Sequence, residues 1–334
     1  MKNIIVIGAG LSGIYAATLL QKHYNVTILE ARERIGGRVF TVDGFDMGPS
    51  WVWQHQKNIL ALIQENHLEI FAQYTQGEAL YDTPSKVERF TPPPSPPSAR
   101  LKGGVIALVE ALEKKLILDT IKLNEAVISI ENSANGIIVN TVKSSYQADL
   151  VINTLPPRLA ASSINYTPAL PQNVLQTLSQ TPTWMGGSAK CTIVFKTAFW
   201  RAQGLSGFGF SLVGPLGELH DACTEEKAAL FGFFQAKAIK TEDAVREQMK
   251  RLFGEDTKQI ESIYITDWIQ ETFTSTKQDS KALSVHPNYG YDIKVYKGRL
   301  VFSGTEASFQ EGGYLEGAIC NMQTLCRYLE VKTW

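Results

Sequence analysis

With 334 residues, 44% of them hydrophobic, the chain is long enough for two packed domains. Its 32 basic and 33 acidic side chains leave a formal net charge of −1, which gives no basis for a nucleic-acid partner or an acidic membrane surface. The four cysteines (Cys191, Cys223, Cys320, Cys326) show no Cys-x-x-Cys or zinc spacing, so they predict free thiols, a reducing compartment and a cytoplasmic location.

The chain opens MKNIIVIGAGLSGIYAATLL. A lysine followed by a small, apolar run resembles a secretion leader, but the glycines favour another reading. Gly8, Gly10 and Gly13 stand at G-x-G-x-x-G spacing directly after residues 4–7, a β-branched run that predicts a buried strand. Residues 14–20 predict a helix. Strand, glycine turn and helix form the first half of a βαβ unit. Gly8 supplies the dihedrals of the turn, Gly10 lets backbone approach a pyrophosphate, and Gly13 allows close helix–strand contact. The phosphate is then expected at the helix N-terminus, where free N–H groups and the helix dipole favour negative charge. A second strand, residues 25–29, ends at Glu30, seventeen residues past Gly13. That is close to the position of a carboxylate that holds an adenosine ribose. The opening is therefore read as a dinucleotide-binding unit.

Residues 31–38 read ARERIGGR. Gly36 and Gly37 predict a second backbone turn, and Arg38 brings a fork of donors suited to phosphate. A nicotinamide enzyme does not need this second basic loop; the longer FAD can thread past it. Residues 56–71 look helical, and the proline-rich stretch 91–99 predicts a stiff surface loop. A helix is expected over 105–116, paired strands over 126–130 and 136–140, and a central strand over 149–154. Strands follow at 190–196 and 230–234, a helix at 242–253, and strands at 262–268 and 299–303. Beyond the N-terminus no run of 18 apolar residues occurs up to Trp334, so no membrane anchor is expected. The five histidines are scattered, and no Ser/His/Asp or metal-ligand cluster is visible.

Several segments together resemble the flavin-containing amine oxidases, the monoamine oxidase superfamily. They are Glu30-Ala31-Arg32 with Gly36-Gly37-Arg38; Asp46-Met47-Gly48-Pro49-Ser50-Trp51; Gly103-Gly104 before the 105–116 helix; and Gly187-Ser188-Ala189-Lys190-Cys191. Gly304-Thr305-Glu306 and Gly312-Gly313-Tyr314-Leu315-Glu316-Gly317-Ala318 complete the set. The segments stand in family order from residue 4 to about 318. The likeness is strongest to compact bacterial members with a GPSW-type loop and a Thr181-Pro182-Thr183-Trp184-Met185 segment.

The resemblance implies an α/β fold: an FAD-binding, Rossmann-like domain of the glutathione-reductase type with a smaller sheet-based substrate domain. Both are discontinuous, with FAD binding over 1–53, 101–182 and 268–334 and the substrate domain over 54–100 and 183–267. It implies that FAD is contacted by Gly8, Gly10, Ser12, Gly13, Glu30, Arg32, Gly37, Arg38, Pro49, Ser50 and Trp51, and by Val127, Trp268, Gly304, Glu306, Gly313, Tyr314 and Leu315. In that scheme Val127 meets the adenine through backbone, Glu306 the ribityl–pyrophosphate region, and Trp268 the flavin ring. Lys190 corresponds to the lysine that faces flavin N5 through a water. Tyr314 corresponds to one wall of an aromatic cage that orients the amine. The helix after Tyr314 directs its positive end to the flavin edge where charge develops on reduction.

Two departures stand out. The partner tyrosine of the cage, expected shortly after Trp268, is missing, and Phe273, Trp51 or Trp53 are candidate replacements. The same stretch lacks a cysteine, so FAD is expected to bind non-covalently. His220-Asp221 reads as a surface polar pair. Arg158 and Arg201 are candidates, by residue type only, to hold a substrate carboxylate. The implied reaction is oxidation of a small amine to an imine, then aldehyde and ammonia, with O2 reduced to H2O2. The rival readings are a flavin-dependent dehydrogenase or desaturase of an apolar substrate, and a flavin-binding module whose catalysis has lapsed.

Overall fold

The computed structural model describes residues 1–281, 283 and 285–331; Trp334 lies outside them. The opening run folds as read. Asn3–Ile7, Leu11–Leu20 and Asn25–Leu29 form a βαβ start, and the two strands pair in parallel. They belong to a six-stranded sheet in the order Ile121–Lys122, Asn25–Leu29, Asn3–Ile7, Leu150–Asn153, Leu300–Phe302, Ile293–Val295. The last strand alone is antiparallel. The central strands are apolar on both faces because both faces are covered. Ile4 and Val6 pack with helices Leu11–Leu20, Ile106–Glu113 and Leu315–Val331; Ile5 and Ile7 pack with Ile130, Ile137 and Val139 of a four-stranded sheet on the opposite face.

A seven-stranded sheet forms the second layer system, in the order Ile260–Asp267, Ala189–Phe195, Ala228–Phe234, Leu216–Asp221, Leu205–Ser211, Glu78–Asp82, Val87–Phe90. Its side chains alternate with period two. Cys191, Ile193 and Phe195 face the helix Glu242–Phe253 and pack with Val245 and Met249. Lys190, Thr192 and Val194 therefore point the other way, toward the first sheet system; Val194 packs there with Phe45, Ala229 and Phe231. This alternation is what turns Lys190 inward.

Three local readings are corrected. The helix expected over 56–71 stops after Lys57–Glu65. His67 takes a positive φ of 54°, and Ile70–Ala72 becomes a strand pairing with Ser98–Leu101. The strands Glu78–Asp82, Val87–Phe90, Leu205–Ser211 and Leu216–Asp221 were not expected. Their polar and glycine-broken stretches hide the period-two pattern. Of the loop expected over 91–99, residues 91–97 carry no regular structure, while Ser98 and Ala99 are drawn into the strand Ser98–Leu101 by pairing with Val52–Trp53 and Ile70–Ala72. Among the described residues, no helix is long and apolar enough to cross a membrane.

Candidate active site

One cavity of about 400 Å³ runs between the two sheet systems. One end is built on the glycine turn. Gly8 has φ +101°, and its N–H donates to Leu29 O at 2.8 Å. A Cβ on Gly13 would stand 1.9 Å from Gly8 O, so this glycine lets the helix lie directly on the turn. Gly10 is different. Its φ of −74° and ψ of 177° suit any residue, and a Cβ there would find only Gly36 O, at 3.8 Å. The protein itself leaves that space open, and Gly10 lines the cavity. No side chain caps the helix Leu11–Leu20, whose first-turn Ser12 also lines the cavity. An uncapped N-terminus facing a cavity fits an anion.

Glu30 sits beside this turn, 4% exposed, and accepts from the N–H groups of Ala9 (2.8 Å) and Arg32 (2.9 Å). A carboxylate has about four acceptor positions, so two remain for ribose hydroxyls. Gly36 bridges to Gly10, which brings the second turn against the first. Arg38 makes a two-pronged pair with Glu306, at 2.5 and 3.0 Å. Arg38 lines the cavity, whereas Glu306 lies behind it, 2% exposed. Glu306 is thus placed to fix the guanidinium. These features together fit a dinucleotide: an open glycine turn, an uncapped helix, a held carboxylate and a fixed arginine on one wall.

The other end is aromatic. Lys190, 2% exposed, donates from Nζ to Gly48 O at 3.1 Å and to Ser50 Oγ at 2.5 Å. Its Nζ stands 4.2 Å from the centre of the Phe231 ring. Burial lowers its pKa to about 7, against the opposing pull of Asp46; Arg100 adds to the lowering. Tyr314 precedes the long helix Leu315–Val331. Trp53 stands edge-on to it at 6.1 Å, Trp184 is tilted at 6.2 Å, and His286 is stacked on it at 4.9 Å. Trp51 continues this wall, 6.2 Å from Trp53 and 5.3 Å from Phe231. Trp268 donates from Nε1 to Met47 O and lines the cavity between the two ends.

Of the residues read from the sequence, Gly8, Gly10, Ser12, Glu30, Gly37, Arg38, Pro49, Ser50, Trp51, Lys190, Trp268, Gly313, Tyr314 and Leu315 line this one cavity. Gly13, Arg32, Val127, Gly304 and Glu306 do not. Arg32 turns to Glu271 and Thr274, at 3.1 and 2.7 Å. Val127 lies two residues past Glu125, whose N–H donates to Glu30 O. Gly304 opens the turn that carries Glu306. Phe273 lies under Arg32, 5.6 Å from its guanidinium, at the Glu30 end, so it is no partner for Tyr314. Trp53 and Trp184 stand beside Tyr314 on the cavity wall, while His286, stacked on Tyr314, does not line the cavity. Trp184 stood in a quoted motif, but only its spatial neighbour Tyr314 reveals its part. Asp221 is buried and paired with Arg201, and Arg158 is paired with Asp279, so both arginines are committed to structure. Neither lines the cavity. His220 pairs with Glu218, a cavity-wall acid that sequence reasoning missed.

Comparison with known proteins agrees with this geometry. A family model described as flavin-containing amine oxidoreductase matches residues 11–100 and 92–320. The flavin-containing amine oxidase A of Bos taurus is 24% identical over 96% of this chain and 83% of its own length. The B form of Sus scrofa is 24% identical over 95% and 84%. Among solved structures, wild-type putrescine oxidase bound to putrescine superposes with a TM-score of 0.84, at 21% identity over 99% of each chain. Cyclohexylamine oxidase from Brevibacterium oxydans does so at 0.82, with 20% identity over 98% of this chain and 99% of its own.

Proposed function

The chain belongs to the flavin-containing amine oxidoreductase family, and from that premise we propose that it oxidises a small amine to an imine, which water opens to aldehyde and ammonia, with O2 reduced to H2O2. The observation that carries this reading is the continuity of the cavity: one set of walls holds both the dinucleotide-type turn and the buried lysine with its aromatic enclosure. FAD, when bound, supplies the two-electron chemistry. Gly10, Ser12, Glu30 and Arg38 hold it at the polar end. Among the described residues no cysteine lines the cavity, which supports non-covalent binding.

At the other end Trp53, Trp184 and Tyr314 exclude water and orient the amine. Their π-faces favour the amine's N–H hydrogens, and their bulk limits its rotation. Lys190 presents an N–H to this space from a fixed position. Its lowered pKa makes both of its protonation states accessible near neutral pH. Among the described residues Arg38 is the only arginine that lines the cavity, which supports amines without a carboxylate over amino acids.

The same reading assigns 1–53, 101–182 and 268–334 to FAD binding and 54–100 and 183–267 to substrate binding. In its support, the six-stranded sheet draws on the first set of segments and the seven-stranded sheet on the second. A cytoplasmic location belongs to this reading and is supported by four free cysteines. The test is to purify the protein, measure bound FAD, and screen amines for peroxide release together with oxygen uptake. FAD bound without any amine turnover in air would refute the oxidase reading.

A further inference from the structure

Lys190 does not reach its position unaided. It is met by the loop 46–50, which is anchored at Asp46, Met47 and Gly48. Asp46 accepts from Thr41 Oγ1 at 2.7 Å and Val105 N–H at 2.8 Å. Met47 donates its N–H to Phe40 O at 2.8 Å and accepts from Trp268 Nε1 at 2.9 Å. A Cβ on Gly48 would stand 2.0 Å from Arg38 O, so the loop lies directly on that backbone. Pro49 has a fixed φ. The loop delivers two groups to Nζ: the Gly48 carbonyl and the Ser50 hydroxyl, itself 6% exposed.

These two groups are not equivalent. A carbonyl can only accept; a hydroxyl accepts or donates. A charged Lys190 has three N–H groups: one goes to Gly48 O, one to Ser50 Oγ, and one is left for the cavity. A neutral Lys190 has two N–H groups and a lone pair. One N–H goes to Gly48 O, the lone pair takes the Ser50 proton, and again one N–H is left for the cavity. We propose that Ser50 is the positioning residue for Lys190, holding its Nζ in one place and leaving a single N–H toward the substrate in either protonation state. This rests on the reading of Lys190 as the lysine of the reacting centre.

The surroundings of Nζ give no substitute for Ser50. Phe231 and Phe233 offer ring faces at 4.2 and 5.8 Å, which attract the charged form most strongly and have no proton to give the neutral amine. Asp46 and Arg100, from the loop and from strand Ser98–Leu101, act on it through space with opposite signs. On one side its cross-strand neighbour is Thr266; the adjacent Asp267 is taken by Lys240 at 2.8 Å. On the other side Glu218 lies two strands away, opposite Phe233, and pairs with His220.

The test follows the lysine itself. The protein is labelled with carbon-13 at the lysine ε-position, with and without FAD, and the resonance lost in Lys190→Met is titrated in wild type, Ser50→Ala and Ser50→Thr. Ser50→Ala removes a hydrogen bond that is stronger to the charged form, so the midpoint should fall by roughly one pH unit. Ser50→Thr, which keeps the hydroxyl, should stay with wild type. In turnover, Ser50→Ala should move the pH profile in the same direction and Ser50→Thr should restore it. A Ser50→Ala midpoint equal to that of wild type overturns the proposal. A shifted midpoint in a protein whose Lys190→Met variant turns over amines at the wild-type rate overturns instead the placing of Lys190 at the reacting centre.

Discussion

Gly10→Ala separates the two jobs of the glycine turn. Gly10 already has dihedrals that alanine adopts, and its new Cβ meets nothing in the protein nearer than 3.8 Å. Alanine at a compatible position also restricts the unfolded chain, a gain of about 0.4–1 kcal/mol. The flavin-free protein should therefore melt no lower than wild type. The methyl group instead occupies the space over the helix N-terminus where a phosphate is expected. Displacing that anion from one backbone N–H costs about 1.5–3 kcal/mol, or roughly ten- to a hundredfold in Kd. Gly13→Ala is the contrasting control, since its Cβ would stand 1.9 Å from Gly8 O. Neither backbone can give way, so it should lose about 1–3 kcal/mol or more in the flavin-free protein. The assays are thermal melts of stripped protein and titration with FAD. The reasoning is refuted if Gly10→Ala binds FAD as tightly as wild type, or melts as early as Gly13→Ala.

Three further outcomes are expected. Lys190 has a folded-state pKa of about 7 against an ordinary 10.5, so between these values the unfolded chain holds the extra proton and stability rises with pH. Lys190→Met should gain most over wild type at or below pH 7 and lose that advantage toward pH 10, as read by melts across that range. Glu306→Gln breaks a pair whose acid is fully buried and whose Arg38 side chain is 27% exposed. The cost should approach but not exceed the ~3–5 kcal/mol of a fully buried pair, and adding Arg38→Met should cost less than the sum of the two changes. Tyr314→Ala should lower kcat/KM for amines about tenfold, the worth of one aromatic contact of roughly 1.5 kcal/mol, while Tyr314→Phe stays near wild type.

The cofactor end was readable from the sequence because its signals are local. The turn, helix and Glu30 occupy thirty residues, and the close approach that requires Gly13, to Gly8 O, falls within that stretch. Lys190 was legible because a lysine in an apolar strand needs a reason, and the period of two then sets its direction. The aromatic end was only half legible. Trp53, Trp184, His286 and Tyr314 come from four separated segments, and no spacing rule links them. The pairing of Arg38 with Glu306 spans 268 positions, so each was read as a separate contact to the cofactor. Of the three candidate replacements for the missing tyrosine, Trp53 stands beside Tyr314, whereas Phe273, the one nearby in sequence, lies under Arg32.

The most direct measurement is anaerobic titration of the FAD-loaded protein with a panel of amines, read by the visible flavin bands. The account predicts that at least one amine bleaches them, and that admitting air restores the colour with release of peroxide. Folded protein that takes up no flavin, or bound flavin that no amine reduces, would contradict it.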